Sequence, residues 1–443
     1  MPEPLTLAIV GCGQRGKSYA EYALQNPRDC KVVAIAEPRP GAQRYFTDRH
    51  HIDPSLVFTT WQDLHAASAE TITTVGRRLA DAVIIAVQDQ MHPEVTLAFA
   101  EQGYHILCEK PMAITPQGCI LMERAVKKAN IIFGMGHVLR YTKYFQAISE
   151  IIQNKSLGEL VNINHVEPVG HFHFAHSYVR GNWNTEEASS FALMTKCCHD
   201  IDLICHFFSS TTPSRVSSFG SLTHFRRSKK PREAGDVKRC LECPLQYDGG
   251  CPYSATTIYL DSLKSGNRSW PVSVLVDDIP DIENITEALK TGPYGVCVYE
   301  SPNDVCDHQV VNFEFANGTT ASLTMVAFSS AICERQTRMH FSHGEIIGDM
   351  NTFTVKDFRT GVLREHSFPH AGGHGGGDIG LMETFVKAVK ERNQELLGTS
   401  IDEVVKTHMT VFAAEASRKE GRVIDCAEYE KAVKEDFEKN KLV

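Results

Sequence analysis

The sequence predicts two classes of structure in one chain: a doubly wound α/β domain, then an α+β domain built on an antiparallel sheet. Three observations carry this. Apolar runs of strand length alternate with helical segments up to about residue 140. A glycine-rich turn, Gly11-Cys12-Gly13-Gln14-Arg15-Gly16, joins the first run to the first helix. Beyond that point the pattern shifts to a period near two, with Asn317-Gly318 inside one alternating stretch.

The elements follow in order. Leu5 to Val10 is a continuous apolar run, as a buried parallel strand requires. "CKVVAIAEP" (30–38), "DAVIIAVQ" (81–88), "HILCEKP" (105–111) and "NIIFGMG" (130–136) supply four more strands. The segments 92–103 and 115–129 read as helices between them. Later, 310–328 alternates around Asn317-Gly318 and reads as a hairpin, and 339–350 as two further short strands. Val405, Met409, Phe412 and Ala416 share one helical stripe.

Composition narrows the function classes. The chain has 443 residues and a net charge of −9, which argues against nucleic acid or an anionic membrane as partner. The basic run at 226–239 contains Pro, Gly and acids and reads as a solvated loop. No signal peptide and no bilayer-length apolar run is found, and 14 cysteines without a signal fit reduced thiols in the cytoplasm.

The glycine turn fits a dinucleotide. Gly11 allows the tight turn, Gly13 lets the backbone approach a pyrophosphate, and Gly16 lets helix pack on strand. The free N–H groups of the helix start, with Cys12, Gln14 and Arg15 beside them, face the anion. Glu37 ends the next strand about 20 residues on, where an acid accepts from a ribose hydroxyl. It would repel a 2′-phosphate, favouring NAD, while Arg39 would favour NADP.

On "GCGQRG" (11–16), "QDQMHPEVTLAFAEQGYHILCEKP" (88–111) and "CHDIDLICHF" (198–207), the chain resembles the glucose–fructose oxidoreductase / inositol dehydrogenase family, Gfo/Idh/MocA. The resemblance implies a Rossmann NAD(P)-binding domain over 1–138. It implies a substrate and oligomerisation domain with a large open antiparallel sheet over 139–443, forming a homo-oligomer through that sheet. Carried over, it puts Gln88, His92, Glu109 and Lys110 at the cofactor. It makes Lys110 a contact to substrate and nicotinamide, and His199 the acid/base. Members of the inositol dehydrogenase type have an aspartate four residues before that histidine; here Thr195 stands there.

Lys196 and His199 lie three apart and share a helical face, so Lys196 is expected to tune His199 in place of the missing aspartate. The alternative has Lys196 facing solvent, with Asp200 and Asp202 as surface acids. In "HVEPVGHFHFAHSYVRGNW" (165–183), an extended backbone would put His171 and His173 on one face, and Arg180 and Trp183 would grip and stack on a sugar. His374, inside the glycine-rich 370–377 stretch, is expected to close over substrate. No catalytic metal is expected. Cys240-x2-Cys243-x7-Cys251 is zinc-like in spacing, with Cys297, Cys306 or His308 able to complete a structural site; packed thiols or a redox-labile pair are the alternatives.

The function expected is hydride transfer between NAD(P) and a hydroxyl-bearing carbon of a sugar, polyol or derivative. Two alternatives stay open: a glycosidase or epimerase using transient oxidation, and a dinucleotide-sensing regulatory protein.

Overall fold

A computed structural model describes residues 3–208, 211–247, 249–368 and 373–440; the start of the glycine-rich loop, 370–372, lies outside them. The first sheet contains β1 (Leu5–Val10), β2 (Cys30–Ala36), β3 (Val57–Phe58), β4 (Ala82–Ile85), β5 (His105–Cys108) and β6 (Phe133–Met135). Their order is β3-β2-β1-β4-β5-β6, all parallel. Five of these strands are the five apolar runs of the sequence. The edge strand β3 has only two residues, too few to show a pattern. All of β4 and nearly all of β1 are buried, since helices cover both faces. The strand order reverses between β1 and β4, so their carboxyl ends open on one crevice.

The second sheet has nine strands and is mostly antiparallel. It comprises β7 (Leu160–Pro168), β8 (Arg215–Ser221), β9 (His308–Glu314), β10 (Thr320–Val326), β11 (Gln336–Phe341), β12 (Gly344–Gly348), β13 (Thr352–Asp357), β14 (Leu363–Ser367) and β15 (Ile424–Asp425). The order is β14-β13-β12-β11-β7-β10-β9-β8-β15. Only β7 and β10 pair in parallel. The Asn317-Gly318 hairpin joins β9 to β10, with Gly318 at φ +83°. Burial alternates along both strands, so one face meets the core and the other is open.

A single cut at residue 138 does not divide the cores. Leu381, Met382, Phe385, Val386, Ala388 and Val389 of the helix Gly377–Glu391 join Leu7, Ile9, Tyr19 and Phe46 in one apolar cluster. The last third of the chain therefore supplies a helix to the first domain.

The helix Ala192–Phe207 runs through the middle. Fifteen of its 16 residues are buried, Lys196, Asp200 and Asp202 among them. It packs between the helix Ile401–Glu420 and strands β7 and β10. Asp200 and Asp202 are therefore not surface acids. Asp202 takes two hydrogen bonds from Arg140, at 2.6 and 2.7 Å, and lies 3.0 Å from His137 Nδ1. Asp200 meets His165 Nε2 at 2.9 Å and Arg335 Nε at 3.0 Å.

Removing one partner of such a pair leaves the other charge buried alone, at a cost of about 3–5 kcal/mol. Asp202→Asn should lower unfolding free energy by that amount in chemical denaturation. A loss below about 1 kcal/mol would mean that Arg140 finds another partner.

Candidate active site

A cleft of about 2080 Å³ runs from the crevice at β1 and β4 to the helix Ala192–Phe207 and residues 332–335 ahead of β11. Its nucleotide end is built from the glycine turn. A Cβ on Gly11, which has φ +94°, would stand 2.3 Å from the Ala86 carbonyl oxygen. One on Gly16 would stand 2.2 Å from the Gly11 oxygen. These two glycines make the turn and the helix contact. Gly13 differs: a Cβ there would meet only Arg39 Nη2, at 3.8 Å. The space over Gly13 is open to the cleft, which fits a pyrophosphate. Gln14 also lines the cleft, with its amide on Ser273 at 2.7 Å.

Glu37 is buried and accepts from the Cys12 amide at 2.8 Å and from Arg39 Nε at 2.7 Å. Burial raises its pKa, but the Arg39 and Cys12 hydrogen bonds outweigh that and hold it below the usual range. Arg39 stays half exposed at the ribose end. Arg15 also lines the cleft, but its guanidinium is committed to carboxylates. Its guanidinium is tied to Glu109 at 2.6 Å and to Asp378 at 2.7 Å, so it locks the first helix to the helix Gly377–Glu391. Glu109 is spent on the same lock, accepting also from Tyr19 and from the Lys110 amide.

At the reaction end, Lys110 Nζ donates to the Thr195 carbonyl at 2.6 Å. The Thr195 hydroxyl turns back onto its own helix, toward Phe191 and Ala192. His199 lines the cleft, and its buried Nδ1 has no partner. Burial depresses its pKa well below the usual histidine range, and Lys110, Arg335, His137 and His374 add to that. The imidazole is therefore neutral at neutral pH, the form that accepts a proton. His374, at φ +49°, stands with its ring 6.1 Å from that of His199 and its Nδ1 3.2 Å from Asp378.

Several expected roles change. Lys196 is engaged by partners other than His199. Its Nζ contacts Cys333 Sγ at 2.8 Å and Glu167 Oε1 at 3.3 Å, and these partners hold it charged against its burial. After burial, the Lys110 ammonium does most to lower the His199 pKa. His171 is not in the cleft, because the 171–183 segment is not extended. Gly170, at φ +93°, turns the chain into the short helix His171–Phe174, and a wide-turn helix, Ala175–Arg180, continues it. That winding sends His173 and His176 to the cleft instead, while His171 bonds the Ser329 carbonyl. It also buries Arg180 away from the cleft, on the carbonyls of Val296 and Tyr253. His92 lies under the turn after β5, 2.7 Å from the Pro111 carbonyl oxygen, and supports Lys110 from behind.

Trp183 does line the cleft, as does Gln88. The Trp183 indole donates to Asp89 at 2.8 Å, and its ring stacks on Tyr178 at 6.0 Å. Asp89, Tyr178, Glu167, Cys333 and Arg335 were not singled out from the sequence. They reach the site from distant loops and strands, and only Asp89, beside Gln88 at a strand end, offered a local signal.

Among the described residues, one trio of potential metal ligands gathers within 4.8 Å: His137, Cys198 and His408. His408 has both nitrogens occupied, by the Met112 amide at 2.9 Å and the Val404 carbonyl at 2.8 Å, so this trio is a packed core.

Comparison with known proteins agrees with this geometry. The description "Oxidoreductase family, NAD-binding Rossmann fold" matches residues 5–137, and "GFO/IDH/MocA C-terminal domain" matches 145–268. The chain is similar to 2,7-anhydro-N-acetylneuraminate hydratase of Escherichia coli (strain K12), 23% identical over 221 residues, 50% of this chain and 54% of that protein. It is similar to myo-inositol 2-dehydrogenase of Thermotoga maritima, 22% identical over 167 residues, 35% of this chain and 42% of that protein. The chain thus spans about half the length of the curated relatives it matches. Levoglucosan dehydrogenase, solved with NADH and levoglucosan, superposes at TM-score 0.68 with 18% identity, covering 96% of this chain and 100% of that one. Myo-inositol 2-dehydrogenase from Lactobacillus plantarum superposes at 0.63 with 17% identity, covering 96% and 99%. At these identities the structural likeness speaks to the fold alone.

Two outcomes follow. Gly13→Ala should fold normally but lose dinucleotide affinity by at least about tenfold in calorimetry, since about 1.4 kcal/mol is tenfold. Unchanged affinity would show that the pyrophosphate does not cross Gly13. The second concerns acid. Burial, with Arg180 for His176 and His137 for His408, lowers both histidines to about 3. The unfolded chain takes up these protons first, near pH 6.5, so stability is complete above that pH and falls as pH drops toward 3. The melting temperature should decline from about pH 6.5 downward, and His408→Gln in a folded variant should flatten that decline. An equal slope in the variant would refute the assignment.

Proposed function

The chain belongs to the Gfo/Idh/MocA oxidoreductase family, and from that premise we propose that it moves a hydride between a nicotinamide dinucleotide and a hydroxyl-bearing carbon of a neutral sugar, polyol or derivative. The observation that carries this is that Lys110, held on the Thr195 carbonyl, and a neutral His199 line the same cleft. The nicotinamide, when bound, supplies the hydride acceptor. The protein must remove the hydroxyl proton and hold the oxygen as negative charge builds. His199 Nε2 takes that proton, with its own proton on Nδ1. Lys110 Nζ, held by a neutral carbonyl rather than a carboxylate, keeps its charge for the developing alkoxide.

Charge supports a neutral substrate. Lys110, Lys196, Arg335 and Arg15 are matched around the reaction end by Glu109, Glu167, Asp200 and Asp378. Trp183, fixed by Asp89, offers an aromatic face for a sugar ring. The ionised Glu37 supports NAD over NADP. Exposed Val161, Phe219 and Ile347 on the second sheet support association with a second copy. No helix among the described residues is long and apolar enough to cross a membrane. The 14 cysteines, all unpaired, support a reducing compartment.

The hydratase relative favours a second reading at the same site. Adding water to a bond needs no net oxidation, so the sugar would be oxidised and then reduced within one cycle.

A screen of sugars and polyols with NAD distinguishes the two. Accumulation of reduced nicotinamide supports net dehydrogenation; product without accumulation supports the cycle. With the substrate found, His199→Asn should cut turnover about 100- to 10,000-fold while NAD still binds. Lys196→Met, where folded, should leave the pH midpoint of turnover in place. A shift in that midpoint would return the tuning role to Lys196.

A further inference from the structure

Arg180 poses a question that the cleft does not answer. Its side chain is buried, yet among the described residues no carboxylate lies within 4 Å of it. Its Nη1 is buried without a hydrogen-bond partner. A buried cation with neither counter-ion nor full hydrogen bonding is costly. Besides the carbonyls of Val296 and Tyr253 it meets sulfur: Nη2 stands 3.2 Å from Cys240 Sγ. Cys240, Cys243, Cys251 and Cys297 line one small cavity with it, of about 20 Å³. That is room for a single atom-sized occupant.

We infer that these four cysteines form a structural zinc site, with Arg180 as its counter-charge. Three features support it. Cys240-x2-Cys243 has the spacing of a zinc-binding pair, and Cys251 and Cys297 bring the set to four. All four cysteines line the same cavity as Arg180, so the set converges in space as well as in sequence. Binding one Zn²⁺ releases four thiol protons and forms four Zn–S bonds, with no change of oxidation state. The centre then carries a net charge of −2, the anion that Arg180 lacks. No three of these sulfurs lie within 4.8 Å of one another, so binding draws them inward around the ion. Closure would fasten Cys240, Cys243, Cys251 and Cys297 to the helical segment that ends at Arg180 and presents His173 and His176 to the cleft.

The test is metal analysis on the full chain, purified reduced and dialysed after loading with Zn²⁺ alone. One zinc per chain is expected. Loading with Co²⁺ should give thiolate-to-metal charge-transfer absorption and the intense visible bands of a tetrahedral ion. Cys243→Ser and Cys297→Ser should each lose zinc, and Arg180→Gln should weaken binding about 10- to 100-fold, as loss of an outer partner does. The wild-type cobalt spectrum gives the answer even where a variant does not fold. Less than a tenth of an equivalent of zinc, or no cobalt–thiolate absorption, overturns the inference. So does zinc fully retained in folded Cys243→Ser and Cys297→Ser variants.

Discussion

A helix removed from water must find a partner for every charge it carries, and the helix Ala192–Phe207 carries three. Lys196 turns to Glu167 and Cys333, Asp200 to Arg335 and His165, and Asp202 to Arg140 and His137. These partners come from β7, from the approach to β11 and from the segment after β6, on different sides of the helix. Together they leave the helix little freedom to rotate, because any turn would strand a charge. His199 lies between these charged residues, and the rotation that satisfies them presents it to the cleft.

Thr195 gains meaning from this arrangement. A carboxylate there would neutralise Lys110 and draw a proton onto His199. A backbone carbonyl does neither. The histidine therefore stays neutral and the lysine makes no direct ion pair among the described residues, which biases the site toward accepting a proton from a hydroxyl. Each pKa unit of that bias corresponds to about 1.4 kcal/mol.

The readability of the sequence followed the range of the interactions. Parallel strands buried on both faces announce themselves as apolar runs, and Asn317-Gly318 announces its hairpin, because both signals are local. The glycine turn is local too, and Gly11 and Gly16 meet the steric demands that motif implies. Lys196 was misread because helical spacing shows which residues share a face and not what comes to meet them; Glu167 lies 29 positions earlier in the chain. Arg180 and His171 were misread for another reason. A single glycine at positive φ turned an expected strand into a helix, and the wide turn that followed rotated every later side chain. Asp200 and Asp202 look like surface acids in a sequence because burial of a charge depends wholly on remote partners.

The helix Gly377–Glu391, packed into the core of the first sheet, has a consequence for how the molecule is made. A ribosome releases the β1 strand and its glycine turn long before that helix exists. Until it arrives, Leu7, Ile9 and Tyr19 lack the apolar cover they have in the finished protein, and Arg15 lacks Asp378. The nucleotide-binding sheet is thus synthesised well before the helix that completes its core. A nascent chain would hold this half unfinished until that helix emerges, and competence to bind a dinucleotide would wait for it.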